Sequence, residues 1–353
     1  MSGGPTSAVD HTIPVTVLTG FLGSGKTTLL QRLLRSPRMV RTAVLINEFG
    51  EIGLDHLLVE RADESVVLLQ SGCICCSIRD DLKSALRGLL RRRDRGEIPE
   101  FDRVAIETTG LADPAPILYT LLTEPVVRRR FKLESVITTV DAVNAELHLS
   151  RNPEGIKQVA AADRIVVTKT DIADREQSAA LRETLGRLNP SAESLDAAQW
   201  VDSPDGSIDP DWLLSPRPFA SSRTGPSRPR VEAGGHVHLE ALRRHSAAVA
   251  SSSLALEEPL DWTAFGIWLS MLLNRHGDNV LRVKGILRVS GMSTPVLVNA
   301  VQHIVHPPQH MERWPTDDHR SRIVFITRGI DRALLRRSLA AFSNTAVRAD
   351  SLV

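Results

Sequence analysis

A chain of 353 residues is long enough for two domains, or for one domain with a large appendage. With 42% hydrophobic and 24% charged residues it has a globular composition, and a formal net charge of +1 gives it no global field toward nucleic acid or anionic lipid, so neither is expected as a partner. No apolar run approaches the roughly 20 residues that span a bilayer, and residues 1–12 lack the apolar core of a secretion signal, so a cytoplasmic protein with no membrane partner is expected.

The first two hundred residues alternate apolar runs with amphipathic ones. Segments 13–19, 42–47, 66–69, 104–107, 136–140 and 164–168 are rich in Val, Ile and Leu with little polar alternation, the pattern of strands buried on both faces of a parallel sheet. Between them, 27–34, 79–92, 115–122 and 178–188 carry helical spacing. This order predicts an α/β domain with right-handed crossovers over residues 1–202. The arginines at 87–95 and 128–130 read as solvated helix ends. Residues 203–235 are rich in Pro, Ser, Gly and Arg and read as a flexible linker.

A second domain is expected over 236–353. Residues 247–256 suggest a strand. Residues 261–274 suggest a helix with Trp262, Phe265, Leu269 and Leu272 on its core face and Gly277 as its stop. Segments 280–289, 296–305 and 322–327 read as strands and 331–342 as a last helix, together a smaller α+β domain.

Three motifs carry chemistry. The stretch G-F-L-G-S-G-K-T, from Gly20 through Gly23, Ser24, Gly25 and Lys26 to Thr27, fits G-x-x-x-x-G-K-[ST] between a strand and a helix. Its glycines let backbone N–H groups curl around an anion. Lys26 can reach the β- and γ-phosphates, and the Thr27 hydroxyl can bind Mg²⁺. An acid at a buried strand end is the needed complement. Glu107 stands at such a place, able to hold Mg²⁺ through water, with the Gly110 amide able to touch a γ-phosphate. The strand at 164–168 ends in Thr168-Lys169-Thr170-Asp171, close to the guanine-reading N-K-x-D form with Thr for Asn. A buried Asp171 would accept from guanine N1–H and its exocyclic amine, donors that adenine does not pair. GTP with Mg²⁺ is therefore the expected ligand.

The three cysteines of the chain, Cys73, Cys75 and Cys76, fall in G-C-I-C-C. In a reducing compartment such a cluster reads as a metal or redox site. Thiolates favour Zn²⁺ and Cu(I), with Co²⁺ or Ni²⁺ also open, and three ligands leave a fourth position for Glu51 or His56. His236 and His238 alternate on a short run and form a weaker pair.

These motifs together resemble the CobW-like GTPases, in particular the YjiA-like subgroup, within the metal-insertion GTPases that include the urease and hydrogenase nickel chaperones. The resemblance rests on T-G-F-L-G-S-G-K-T-T at 19–28, N-E-F-G-E at 47–51, G-C-I-C-C at 72–76, E-T-T-G-L-A-D-P at 107–114 and T-K-T-D at 168–171, with a looser match at R-V-K-G-I, 282–286, and at Trp314. It implies a P-loop NTPase domain with a mainly parallel sheet, followed by a smaller CobW C-terminal domain. It further implies that Gly23, Gly25, Lys26, Thr27 and Thr28 bind phosphates and Mg²⁺, that Glu48 and Glu51 lie in a first switch segment and Glu107 and Gly110 open a second, that Cys73, Cys75 and Cys76 respond to metal, and that Lys169 and Asp171 read guanine. Two departures stand out. Ile46 occupies a position where relatives carry an acid, and a single G-G-H-V-H stands in place of a long His-rich stretch, which argues against bulk metal storage.

The function expected is a slow GTPase acting as a metallochaperone, delivering zinc from the cysteine cluster to a client metalloprotein, with a nucleotide- or metal-dependent homodimer left open. The alternatives are a cobalt- or nickel-handling activator of one metalloenzyme, of cobalamin-pathway or nitrile hydratase type, and a redox-sensing GTPase switch without metal delivery.

Overall fold

The structure is a computed structural model that describes residues 12–46, 67–70, 78–200, 210–214, 249–343 and 347–348. Strands β1 (Ile13–Gly20), β2 (Thr42–Ile46), β3 (Val67–Gln70), β4 (Arg103–Glu107), β5 (Phe131–Asp141), β6 (Arg164–Thr168) and β7 (Glu193–Asp196) form one sheet in the order β3-β2-β4-β1-β5-β6-β7. Every pairing in it is parallel. Helices lie between the strands: α1 (Lys26–Leu34), α2 (Ile78–Asp94), α3 (Ala115–Thr123), α4 (Pro125–Arg130), α5 (Ala145–Arg151), α6 (Pro153–Ala161) and α7 (Arg175–Leu188). The arginine runs fall at the ends of α2 and α4, as solvated helix ends should.

The absence of polar alternation has a simple cause: both faces of the sheet are covered. Val15 and Val17 pack with Leu86 and Leu89 of α2 and Leu118 and Leu121 of α3. Leu18, between them and the strand end, faces the other way, into Leu29, Leu30 and Leu33 of α1. Within the stretch read as a linker, helix α8 (Pro210–Leu214) buries Leu213 and Leu214 in that same α1 cluster, so this part of it is packed structure.

The second domain is an antiparallel sheet. It contains β8 (Val249–Leu256), β9 (Val280–Leu287), β10 (Val296–Val301), β11 (Ile304–Val305), β13 (Ser321–Arg328) and β14 (Val347–Arg348), in the order β11-β10-β9-β13-β8-β14, with β12 (Gln309–His310) on β10. Helices α9 (Trp262–His276) and α10 (Arg332–Ser343) cover one face through Phe265, Trp268, Leu269, Leu273, Leu335 and Leu339. Trp262 is 37% exposed and Leu272 only partly buried, so the core stripe of α9 is rotated from the expected one toward Trp268 and Leu273. The expected single strand over 296–305 is a hairpin, turning at Gln302 and His303.

The other face of this sheet meets the first domain. Leu281 and Ile326 join Val159 of α6 and Leu185 of α7 in one core. Beside them Arg282, 1% exposed, donates to the Ala161 carbonyl at 2.8 Å and to the Asp163 carboxylate, which also accepts from the Val136 N–H at 3.0 Å. Lys284 Nζ lies 3.6 Å from Asp163. Burial alone would push the Asp163 carboxyl up; Arg282 and Lys284 outweigh it and hold it at about 2. Removing one partner of such a group leaves an uncompensated charge, at a cost of about 3–5 kcal/mol.

His306 sits beside this node, with Nε2 buried and without a hydrogen-bond partner among the described residues. Burial first, then Arg282 and Lys284, hold its imidazole neutral and bring its pKa down to about 3, against the pull of Asp163. The unfolded chain accepts a proton near 6.5 that the folded chain refuses, so stability is complete above that value and falls as pH drops from 6.5 toward 3. His148, also held low, acts in the same direction. We expect the urea midpoint to fall between about pH 6.5 and about pH 5, and His306→Gln, with no proton to gain, to flatten that slope. An unchanged slope in the variant would remove His306 from the account.

Candidate functional site

The phosphate-type loop joins the end of β1 to the start of α1. Gly20, Gly23 and Gly25 have φ of +142°, +69° and +88°, backbone conformations that side-chain-bearing residues rarely adopt. Gly25 is the N-cap of α1, so the first amides of that helix open toward the loop. A Cβ at Gly20 would stand 2.3 Å from Thr139 Oγ1 and 2.5 Å from the Thr139 carbonyl, because the root of the loop rests on β5. Two further ties hold it: the Ser24 and Thr139 hydroxyls are 2.6 Å apart, and Thr168 Oγ1 donates to the Ser24 carbonyl at 2.8 Å. Lys26 is 8% exposed and donates to the Phe21 carbonyl at 3.1 Å, so its ammonium arches over the loop that would hold the phosphates.

The acid comes from the neighbouring strand. Parallel pairing sets Glu107 of β4 opposite Leu18 of β1, and Glu107, 2% exposed, accepts from the Thr27 hydroxyl at 2.6 Å. A hydroxyl and a carboxylate converging in this way are the oxygen donors a hard divalent cation uses. Beyond Glu107, Thr108 is tied to β1 by its amide on the Leu18 carbonyl, 2.9 Å, and its hydroxyl on Thr19, 2.8 Å. Gly110 then abuts the loop so closely that a Cβ would lie 2.5 Å from the Leu22 nitrogen. The next side chain, Leu111, is 54% exposed.

On the far side of the loop a cleft of about 430 Å³ lies among Gly25, Thr28, Thr168, Lys169, Asp171 and Ala197. Lys169 has a φ of +58° and donates to Asp141 at 2.8 Å, which stretches its stem along the cleft. Asp141 also accepts from Asn144 Nδ2 and the Val143 amide, both at 2.9 Å. Burial would raise this carboxyl; these bonds, led by Lys169, bring it below its ordinary value. The expectation of a buried Asp171 differs from the structure, where it is exposed at the cleft mouth. The physical reason is that among the described residues no segment covers Asp171 at the cleft mouth. Thr168, in the place of Asn, serves the loop by its bond to Ser24.

Sequence reading passed over Asp141, Thr139, Ala197 and Ala198. Asp141 had a signal: it is an acid at the end of a buried strand, the same logic that found Glu107. Ala197 and Ala198 carried none, since small apolar residues after a strand have no chemistry of their own. Cys73, Cys75, Cys76, Glu48, Glu51, His56, His236 and His238 lie outside the described residues, and among the described residues no group of three or more His, Cys, Asp or Glu could hold a metal ion. No helix among the described residues is long and apolar enough to cross a membrane.

Comparison with known proteins bears on the whole chain. Residues 14–196 match the family described as "CobW/HypB/UreG, nucleotide-binding domain", and residues 249–343 match "Cobalamin synthesis protein cobW C-terminal domain". The chain is 35% identical over 315 residues to the zinc chaperone YjiA of Escherichia coli, covering 89% of this chain and 93% of that one. It is 29% identical over 360 residues to the zinc chaperone CobW of Pseudomonas aeruginosa, covering 93% and 90%. Among solved structures it is similar to the Zn(II)-bound YjiA GTPase from E. coli, with a TM-score of 0.66 and 31% identity over 94% of this chain and 99% of that one.

The glycines of the loop are not equivalent. At Gly23 a Cβ meets nothing within 4 Å, so alanine there faces only the left-handed backbone, worth about 1–3 kcal/mol. At Gly20 it also collides with β5. Calorimetric titration with nucleotide is expected to show a far larger affinity loss for Gly20→Ala than for Gly23→Ala; equal losses would mean that the contact with Thr139 does not shape the loop.

Proposed function

The chain belongs to the CobW/HypB/UreG family, in which its relative YjiA is described as a GTPase, and from that premise we propose that it is a GTP-hydrolysing metallochaperone that carries zinc to a client metalloprotein. The observation that carries this reading is similarity over nearly the full length to proteins named zinc chaperones. The site supports the nucleotide half. The loop amides and Lys26 would take the phosphates. Thr27 directly and Glu107 through water would hold Mg²⁺, which when bound would neutralise charge on the phosphates. Gly110, already against the loop, would meet the γ-phosphate with its amide. Lys169 would lie along the base, and Asp171 would take the guanine N1–H and amine.

The metal half rests on G-C-I-C-C and on its place in the chain. Gln70, two residues before Gly72, pairs with Ile46, and Ile46 pairs with Glu107. The end of β3 is thus two strands, about 10 Å, from the acid of the nucleotide site. A γ-phosphate that orders or releases neighbouring segments could therefore change how Cys73, Cys75 and Cys76 hold an ion. Zn²⁺ is the cargo named by the relatives. Thiolate chemistry alone also admits Co²⁺ and Ni²⁺.

Competition titration of Zn²⁺, Co²⁺ and Ni²⁺ into the reduced protein tests the coupling. We expect Zn²⁺ to bind most tightly, to need Cys75, and to change affinity when Mg²⁺ and a non-hydrolysable GTP analogue are present. Binding indifferent to both Cys75→Ala and nucleotide would leave a GTPase without the chaperone role.

Two further outcomes concern the nucleotide. With Leu111 where a water-orienting side chain would stand, intrinsic turnover should be slow, on the order of one per minute or less; several turnovers per second without metal or client would contradict it. Asp171→Asn should weaken GTP by about 100-fold or more and favour xanthosine triphosphate, whose C2 oxygen accepts from the new amide. Retained guanine preference would take Asp171 out of base reading.

A further inference from the structure

We propose that Gln302, on the second domain, is a positioning residue for GTP hydrolysis: it reaches across the domain boundary to Asp113 and so fixes the turn that presents Gly110 to the phosphate loop. The inference rests on the reading of Gly110 given above.

The turn from Gly110 to Asp113 is held from two sides. On the first-domain side, Gln158 of α6, 1% exposed, donates to the Gly110 carbonyl at 3.1 Å and the Ala112 carbonyl at 3.0 Å. Its neighbour Lys157 donates to Asp113 Oδ2 at 2.7 Å. Asp113 Oδ1 meanwhile accepts from the Ala115 amide at 3.0 Å, at the start of α3. On the other side stands the β10–β11 hairpin, and Gln302 Nε2 at its tip is 3.1 Å from Asp113 Oδ2. One carboxylate therefore gathers a helix start, an ammonium and an amide from another domain, at the end of the turn that begins at Gly110.

The hairpin does not need that side chain in order to fold or to dock. Gln302 has a φ of +51°, a conformation glycine or asparagine would adopt at lower cost. Docking is supplied by the residues on either side: Val301 and Ile304 are buried in the same core as Ile117 and Leu118 of α3. His303 secures the tip to its own domain, packed on Gly277, where a Cβ would be 2.2 Å from Nδ1, and 3.2 Å from Asp278 Oδ1 through Nε2. A backbone held in a disfavoured region, beneath a side chain bonded to the turn beside the γ-phosphate position, is the arrangement strain takes at a functional contact. The second domain thereby has a grip on the catalytic turn, and whatever displaces the hairpin alters hydrolysis without touching the nucleotide.

The test is steady-state GTP hydrolysis by the full chain in four variants, with thermal melts alongside. Gln302→Gly relaxes the backbone and deletes the amide; Gln302→Glu sets a carboxylate against Asp113; Gln302→Lys restores a donor; Gly110→Ala probes the turn itself. We expect kcat to fall about fivefold or more in Gln302→Gly and Gln302→Glu with KM for GTP within about twofold, and Gln302→Lys to return kcat close to the parent. A lower melting temperature with unchanged kcat, an effect confined to KM, or no rescue by lysine would overturn the proposal. Should Gln302→Gly fail to fold, the Glu and Lys pair carries the test. If Gly110→Ala itself hydrolyses GTP like the parent, the reading of Gly110 fails; if it is impaired while the Gln302 variants are normal, the inference about Gln302 fails alone.

Discussion

The side chains that hold the phosphate-type loop and its acid depend on the register of three parallel pairings. Leu18 lies opposite Glu107, Gly20 opposite Thr139, and Asp141 opposite Thr168. Because alternate residues of a strand face opposite ways, a slip of one residue would turn Glu107 away from Thr27 and Thr139 away from Ser24. The register is fixed by burial on both faces, since a slip would exchange the α1-facing and α2-facing side chains throughout the sheet. Packing of Val15, Val17 and Leu18 is therefore the origin of the 2.6 Å contact between Thr27 and Glu107.

The loop itself is the weak point of such a design, because its glycines supply no packing. It is held instead by hydroxyls. Ser24, Thr139, Thr168, Thr19 and Thr108 form short bonds that join the loop and the strand ends of β1, β4, β5 and β6. Small hydroxyl side chains suit this place. They satisfy buried carbonyls without filling the space that phosphates and a base require.

The second domain is bound to the first by two unlike contacts. The ionic node joins the buried Arg282 and Lys284 to a partly exposed Asp163, and a pair of this kind adds little net stability over apolar packing of the same volume. Asp163 directly precedes β6, at the end of that strand opposite Thr168 and Lys169, so the node holds the strand at its start. The hairpin of Val301 and Ile304 packs instead on α3, beside the turn at Gly110. One contact thus holds the start of β6 and the other lies beside the turn that follows β4.

The motifs were legible because they are local: a glycine-rich loop before Lys26 and Thr27, an acid at the end of a buried strand and T-K-T-D after another stand on the elements their pattern placed them on, while the cysteine cluster lies outside the described residues. Strand and helix types were legible for the same reason, as two-sided burial leaves a continuous apolar run. What was hidden is what no local pattern writes. The turn at Gln302 and His303 has none of the Asn-Gly or Asp-Gly chemistry that marks a hairpin, so 296–305 reads as one strand. The edge strand β7 is too polar to announce itself. The core face of α9 is set by what it packs against, which turns Trp268 inward and leaves Trp262 at the surface. Above all, Gln302 and Asp113 are 189 residues apart, and only the folded chain brings the second domain to the turn after Gly110. By itself the sequence determined the family and the elements on which its loop, acid and T-K-T-D motifs sit. The tertiary structure alone decided which distant groups hold them in place, because that depends on packing between elements that share no pattern in the chain.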